Sequence, residues 1–399
     1  MHLQRLPGGP HLTYCTNIHA GETWAEINAS LDAHVPAIKA AVSPDAPFGI
    51  GLRLSGIAAA ELARPAALAS FRDQLDRLGA YVFTVNAFPY GPFHGTRVKE
   101  QVYEPDWRTE ERVAFTLNAA RALAALLPEL GFGSISTVPG AFKPRALEPG
   151  AIEAIVERLL AAAAELVALR RNTGRHIALA LEPEPCCFLE TVEEAVAFFN
   201  ERFFASRPVA RFAALVGLSP AEAETELRQV MGICYDVCHG AVEFEDPVAA
   251  LRRLKREGIG VPKIQLSAAL RVPEMTGDHL SRLQRFDTAV YLHQVVVRNG
   301  RLDRFTDLPV AFAAFRAGAA PGEWRIHCHV PVFLRDLGVL RSTQNALISV
   351  LHALRREALS PHLEVETYTW DVLPDSLKTG SKASDIAREL DFVQRELFA

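Results

Sequence analysis

Six cysteines in 399 residues, none in a Cys-x-x-Cys unit, are too few and too scattered for a disulfide framework or a zinc ribbon. They read as reduced thiols packed as small hydrophobes, although Cys15, Cys186, Cys234, Cys238 and Cys328 fall on or just after expected strands. No stretch approaches the roughly 20 uninterrupted apolar residues of a membrane span, and the opening Met-His-Leu-Gln-Arg-Leu-Pro-Gly-Gly-Pro lacks the apolar core of a secretory signal. The expectation is a cytoplasmic protein that does not insert into a membrane. Blocks rich in Lys and Arg are missing too, and the net charge is −5. No basic field is therefore available to hold a phosphate backbone, and nucleic acid is not an expected partner. Nor does a Gly-x-Gly-x-x-Gly follow an early strand, which argues against a dinucleotide site.

Hydrophobic residues make up 49% of the chain, ample for a large core. They fall in short runs, at 12–18, 48–54, 81–87, 133–138, 177–181, 232–237, 263–266 and 363–367, that read as strands. Helical segments alternate with them. The first starts at a capping box, Thr23-x-x-Glu26, and others are expected at 58–78, 109–130, 150–170, after Thr191, at 220–228, 247–256 and 381–397. Crossovers of this length imply parallel pairing, and eight units imply a (β/α)8 TIM barrel within a single domain, 1–399. An open doubly wound sheet is the alternative.

Two stretches exceed a minimal barrel. The loop after the third strand is long and aromatic, with Asn86, Phe88, Tyr90, Phe93, His94, Tyr103 and Trp107. It is expected to cover the barrel mouth and bind substrate. Between the seventh and last strands, 271–333 holds an apolar run at 289–297, the hairpin signal Asn299-Gly300 and a further strand carrying His327 and His329. This reads as a small inserted β-subdomain.

Polar residues end several of the apolar runs. Glu182 ends Ala-Leu-Ala-Leu, Asp236 and His239 lie in Cys-Tyr-Asp-Val-Cys-His, Gln265 in Lys-Ile-Gln-Leu, and Glu364 and Glu366 in Leu-Glu-Val-Glu-Thr. Burying such groups without partners is costly, and barrel strands deliver their C-terminal ends to one mouth. A shared divalent metal is the expected partner, held by Glu182, Asp236, His239, Gln265, His327, His329 and Glu366. Carboxylate, amide and imidazole together suit zinc, manganese or magnesium without choosing among them. Plainer readings exist: Glu182 and Glu184 as solvated loop carboxylates, Asp236 as a helix cap, His327 and His329 as ordinary strand histidines. Glu364 and Glu366 share a strand face, so the deeper Glu364 is expected to be neutralised by Lys263 or Arg53. Lys263 is also a candidate for substrate binding.

The strand-end set resembles the metal site of the xylose isomerase-like barrels, a superfamily of sugar isomerases, epimerases, inosose dehydratases and the endonuclease IV type of AP endonuclease. Longer strings, Asn-Ala-Phe-Pro-Tyr-Gly-Pro-Phe-His (86–94), Val-Lys-Glu-Gln-Val-Tyr-Glu-Pro-Asp-Trp (98–107), Leu-Glu-Pro-Glu-Pro (181–185), Tyr-Asp-Val-Cys-His (235–239), His-Val-Pro-Val-Phe (329–333) and Glu-Val-Glu-Thr-Tyr-Thr-Trp-Asp-Val-Leu-Pro (364–374), resemble the EboE metabolite traffic proteins of the ebo gene cluster. That resemblance implies a metal-dependent barrel that processes or moves a polyhydroxylated or prenylated metabolite precursor alongside other proteins of the cluster. In the isomerase-like relatives the residues matching Glu182 and Glu366 are ligands and, in some, the acid and base, while the match to His239 contacts substrate or a further metal. Two departures stand out. Gln265 occupies a position where His is usual, so His329 is expected to supply the missing nitrogen, and His-x-His replaces the Asp-x-His of the endonuclease-type relatives. Three functions remain open: an isomerase, epimerase or dehydratase with Glu182, Glu366 and His239 as catalytic groups, a metal-dependent phosphoesterase, and a non-catalytic metabolite carrier.

Overall fold

Strands such as Phe-Gly-Ile-Gly-Leu-Arg and Met-Gly-Ile-Cys-Tyr-Asp are buried at every position. That is how strands read when both sheet faces are covered, as in a parallel barrel. In the computed structural model, which describes the chain except residues 93, 95–96, 129–130, 288–289, 319–321, 376–377 and 379, seven strands come first. They are β1 (His11–Tyr14), β2 (Phe48–Arg53), β3 (Ala80–Asn86), β4 (Phe132–Thr137), β5 (His176–Leu181), β6 (Met231–Asp236) and β7 (Gly260–Leu266). An insertion contributes β8 (Ala269–Val272), β9 (Val295–Asn299), β10 (Arg301–Phe305), β11 (Glu323–His329), β12 (Asp336–Leu337) and β13 (Leu340–Ser342). The chain then returns to the barrel as β14 (His362–Val365).

The parallel order is β1-β14-β7-β6-β5-β4-β3-β2. Threonine hydroxyls close the ring where β1 meets β2. Thr13 Oγ1 donates to Gly49 O at 2.7 Å and accepts from the Gly51 N–H at 2.9 Å, and Thr16 Oγ1 accepts from the Arg53 N–H at 2.8 Å. The fold is the TIM barrel expected, with its β insertion between the seventh and eighth barrel strands.

Local chemistry moves several boundaries. The helix expected at 58–78 is two, Gly56–Leu62 and Pro65–Leu78, because Pro65 has no N–H to continue the first and opens the second. The helix expected at 109–130 ends at Leu126, two residues before Pro128, and Leu130 lies outside the described residues. The first strand stops at Tyr14, and Thr16–Ile18 forms a 3-10 turn.

The insertion is a six-stranded antiparallel sheet of order β10-β9-β11-β8-β13-β12. Its own core joins Leu270, Val272, Val295, Val297, Trp324 and Ile326 to Leu283, Leu308 and Phe312 of its helices. Gly300, at φ 71, makes the β9–β10 turn. Ala289, where the first run of this region is expected to begin, lies outside the described residues. No helix among the described residues is long and apolar enough to cross a membrane.

Candidate metal centre

Glu364 and Glu366, two residues apart, meet opposite surroundings. Lys263 Nζ lies 2.5 Å from Glu364 Oε2, and both side chains are fully buried. Burial opposes the lysine charge, but Glu364 more than restores it and holds the ammonium above its ordinary pKa. Gly51 makes room for the pair, since a Cβ there would collide with Glu364 Oε1. Lys263 also donates to Ser136 Oγ at 3.3 Å and does not line the cleft described below. Arg53, the other cation expected for Glu364, pairs with Glu22 at 3.2 Å instead.

Glu366 pairs with no Lys or Arg among the described residues. With Glu182, just past β5, and Asp236, ending β6, it brings three buried carboxylates to within 4.8 Å, ligand atom to ligand atom. Glu366 Oε1 accepts from Asn17 Nδ2 at 2.7 Å and Asn86 Nδ2 at 3.2 Å. Asp236 Oδ1 accepts from Ser267 Oγ at 2.7 Å and the His239 N–H at 3.0 Å, so Asp236 caps the helix Val237–Val242 with one oxygen and presents the other. Asp236 Oδ2, Glu182 Oε2 and both amide atoms of Gln265 are buried without a hydrogen-bond partner among the described residues. Gln265 pairs in register with Asp236 and Glu364 on the neighbouring strands. Burial and then the mutual repulsion of the carboxylates raise Glu182 and Glu366 well above the usual carboxylate range. Burial pushes Asp236 up as well, but His239, His329 and its two hydrogen bonds bring it below its ordinary value.

The histidines converge on the same place. His239 Nε2 lies 3.1 Å from His327 Nε2, which lies 3.3 Å from His329 Nε2. The other nitrogen of each ring is engaged: His239 Nδ1 with Pro183 O at 2.9 Å, His327 Nδ1 with Gln294 Oε1 at 2.8 Å and His329 Nδ1 with Glu366 O at 2.9 Å. Carbonyl oxygens only accept, so each Nδ1 carries a proton and the three Nε2 atoms face one another, as lone pairs in any ring that is neutral. Burial drives His239 down to about 4 and His327 well below its ordinary value, keeping both neutral. Lone pairs at this separation repel unless a cation lies between them. Three imidazoles beside carboxylates form a donor set that suits a divalent ion without choosing among zinc, manganese and magnesium. Asp236 Oδ2, 3.8 Å from His239 Nε2 and 3.9 Å from His329 Nε2, belongs to both the oxygen-rich and the nitrogen-rich set. Cys238 forms a further ligand group with His327 and His329.

A cleft opens on these groups. Its polar lining includes Asn17, Asn86, Glu182, Glu184, His239, His327 and Glu366, and its apolar lining includes Phe88, Val102, Tyr103, Tyr291, Leu292 and Tyr368. Of the expected substrate-binding residues, Asn86 and Phe88 line it; Tyr90, His94, Trp107 and Lys263 do not. Tyr90 packs on Phe115 with ring centroids 5.3 Å apart, Trp107 is buried with Nε1 donating to Thr137 Oγ1 at 3.2 Å, and burial, with the charge of Arg53, brings His94 down to about 4. Phe93 lies outside the described residues.

The structure adds residues that sequence reasoning passed over. Glu184 is buried, pushed up to about 7 by that burial despite accepting from Tyr103 Oη at 2.7 Å and Gln294 Nε2 at 3.1 Å. Gln294 also donates to Pro185 O at 3.1 Å. The Pro185 carbonyl can only accept, so the amide nitrogen must face it and Oε1 must face His327. Gln294 thus fixes the His327 ring. Its signal was available: a lone amide before Val-Val-Val has the same signature as Gln265 between Ile and Leu. Asn17 likewise sits just past the first strand.

No family model and no curated protein matches the chain. Solved structures similar to it include a probable 3-DHS dehydratase, AsbF, involved in petrobactin synthesis, from Bacillus anthracis, at 12% identity over 96% of this chain and 98% of that one, with a TM-score of 0.46. A D-tagatose 3-epimerase-like protein is similar at 13% identity over 97% and 96%, TM-score 0.48. So is the IolI protein with a binding zinc atom, at 13% identity over 97% of both chains, TM-score 0.45. These likenesses concern the fold, and the site is argued from its own residues.

Proposed function

We propose that the protein is a divalent-metal-dependent enzyme of isomerase, epimerase or dehydratase type, acting on a polyhydroxylated or prenylated metabolite precursor. The observation that carries this reading is the convergence of three inward-facing Nε2 atoms with carboxylate oxygens that have no hydrogen-bond partner among the described residues, a set that a cation would complete. Glu182, Asp236, Gln265 and Glu366 would hold the ion from the oxygen-rich side, and His239, His327 and His329 from the nitrogen-rich side. Bound there, a divalent ion supplies polarisation of a substrate hydroxyl or carbonyl oxygen and so acidifies the neighbouring C–H.

The chain's own groups complete the chemistry. Glu366, held by the Asn17 and Asn86 amides through Oε1, keeps Oε2 for a substrate proton. Glu182 approaches from β5, on another part of the ring, and can return a proton to the opposite side of the same carbon. The apolar lining suits a ring or prenyl portion and excludes water. The resemblance of its sequence strings to the EboE proteins is what supports a role in metabolite traffic alongside other proteins of the same gene cluster. A phosphoesterase is the second reading, favoured by one observation, the sharing of Asp236 between two ligand sets, which would suit paired cations.

The test is exchange of a carbon-bound substrate hydrogen with solvent deuterium. Exchange that depends on metal and is lost in Glu366→Gln supports the reading; turnover that survives both Glu182→Gln and Glu366→Gln removes it.

A further inference from the structure

Lys99 is the one Lys or Arg among the described residues lining the cleft, where it stands with the carboxyl groups of Glu182, Glu184 and Glu366. Its ammonium is already engaged. Lys99 Nζ donates to Asp307 Oδ2 at 2.5 Å, in a pair whose side chains are only 11% and 14% exposed. The other oxygen, Oδ1, accepts from the backbone N–H groups of Leu308 and His293, each at 3.0 Å. Asp307 is therefore anchored as the N-cap of the helix Leu308–Arg316 and cannot swing aside with the lysine. Lys99 is fixed as well. Its φ of 43 lies in the left-handed region that a lysine seldom adopts, and its N–H donates to Val290 O at 3.1 Å.

We infer that Asp307 is a specificity-determining residue that silences the cleft's one lysine, so that the site takes uncharged substrates and turns away phosphorylated or carboxylated ones. This deepens the proposed function and rests on its reading of the cleft as the substrate site. An anionic substituent would meet three carboxyl groups and a lysine whose charge is spent inward. Drawing Lys99 away would leave the Asp307 carboxylate sheltered and unpaired, a cost that an entering phosphate would first have to overcome. A dication at the centre can receive one oxygen of a substrate, but a phosphate at the far end finds no second cation.

Asp307→Asn isolates the effect. Asparagine caps a helix as well as aspartate does, and its Oδ1 can still accept from Leu308 and His293 while an NH2 replaces Oδ2 opposite Lys99. The probes are inorganic phosphate, and a hexose phosphate beside the same hexose, titrated calorimetrically at constant ionic strength into metal-loaded and metal-free protein. Wild type is expected to show no preference for the phosphorylated sugar. Asp307→Asn should bind the phosphate-bearing probes about tenfold or more tightly, as one charged hydrogen bond supplies, and the gain should vanish in Lys99→Met/Asp307→Asn. Lys99→Met alone, which tests the idea even if the asparagine variant misfolds, should leave wild-type phosphate affinity unchanged. A wild-type preference for phosphate that Lys99→Met abolishes, or an Asp307→Asn variant with no gain, overturns the inference. Metal content of the same samples keeps the two readings apart: metal-free wild type that takes up no ion sinks the enzyme reading, whereas the Asp307→Asn gain decides this one.

Discussion

Two glutamates on one strand face lead different lives. Glu364 is answered from within the protein by Lys263, at a distance of 2.5 Å and with no exposure on either side, and Gly51 is the residue that leaves it space. Glu366, one step nearer the mouth, is answered by two amides and then by more carboxyl groups. The lower layer of the barrel closes its electrostatics and the upper layer leaves them open. A buried carboxylate without a protein cation either takes up a proton or is completed from outside, so an imbalance of this kind marks a candidate binding site more sharply than charge or burial alone.

The largest expected effect breaks the closed layer. Lys263→Met should destabilise the protein by about 3–5 kcal/mol, because it strands the Glu364 carboxylate in the barrel interior. Lys263→Met/Glu364→Gln should recover much of that loss, as read by denaturant unfolding; equal destabilisation of the single and double variants would mean that the pair is not what holds this layer. In the open layer, Gln294→Met removes the acceptor that orients His327. Metal affinity should drop about ten- to a hundredfold, and Gln294→Glu, which keeps an acceptor for His327 Nδ1, should restore most of it. A competition titration with a chromophoric chelator reads this. Full affinity in Gln294→Met would mean that His327 is not a ligand or is held by other contacts.

The smallest effect sharpens the contrast through pH. Glu182 and Glu366 are raised well above the ordinary carboxylate range, and Glu184, Glu243, Glu245 and Glu389 are each pushed up to about 7 by burial. Above about pH 7 unfolded histidines and carboxyls are both largely deprotonated. There the metal-free folded state holds more protons than the unfolded chain, so its stability should fall as pH rises from about 7 to 8. Metal uptake, which needs Glu182 and Glu366 ionised, should strengthen over the same range and release protons. Thermal unfolding with and without added zinc or manganese should therefore show a gap that widens with pH; a constant gap would mean that those carboxyls are already ionised or do not bind the ion.

What was legible in the sequence follows the same division. The barrel could be read because each strand is a short apolar run set between helices with capping boxes, such as Thr23 with Glu26, Thr191 with Glu194 and Ser219 with Glu222. The polar residues that end the strands stood out against those runs, and the structure brings Glu182, Asp236, His239, His327, His329 and Glu366 together in ligand groups. The lid was harder, because aromatic composition does not say which rings face the cleft. Phe88 and Tyr103 line it, whereas Tyr90 and Trp107 turn into the packing of the barrel wall. Gln294 could be noticed as a lone amide before an apolar run, but its role, like the Lys99–Asp307 pair, was out of reach. Their roles depend on partners 33 and 208 residues away, brought near only by how the insertion sits on the mouth.

The most direct measurement is the divalent metal content of protein purified without chelator, with Glu182→Gln/Asp236→Asn prepared beside it. The account expects about one or more equivalents in wild type and a loss of the ion in a double variant that remains folded. Wild-type protein that carries no metal and takes up neither zinc nor manganese, or a double variant that keeps its full complement, would contradict it.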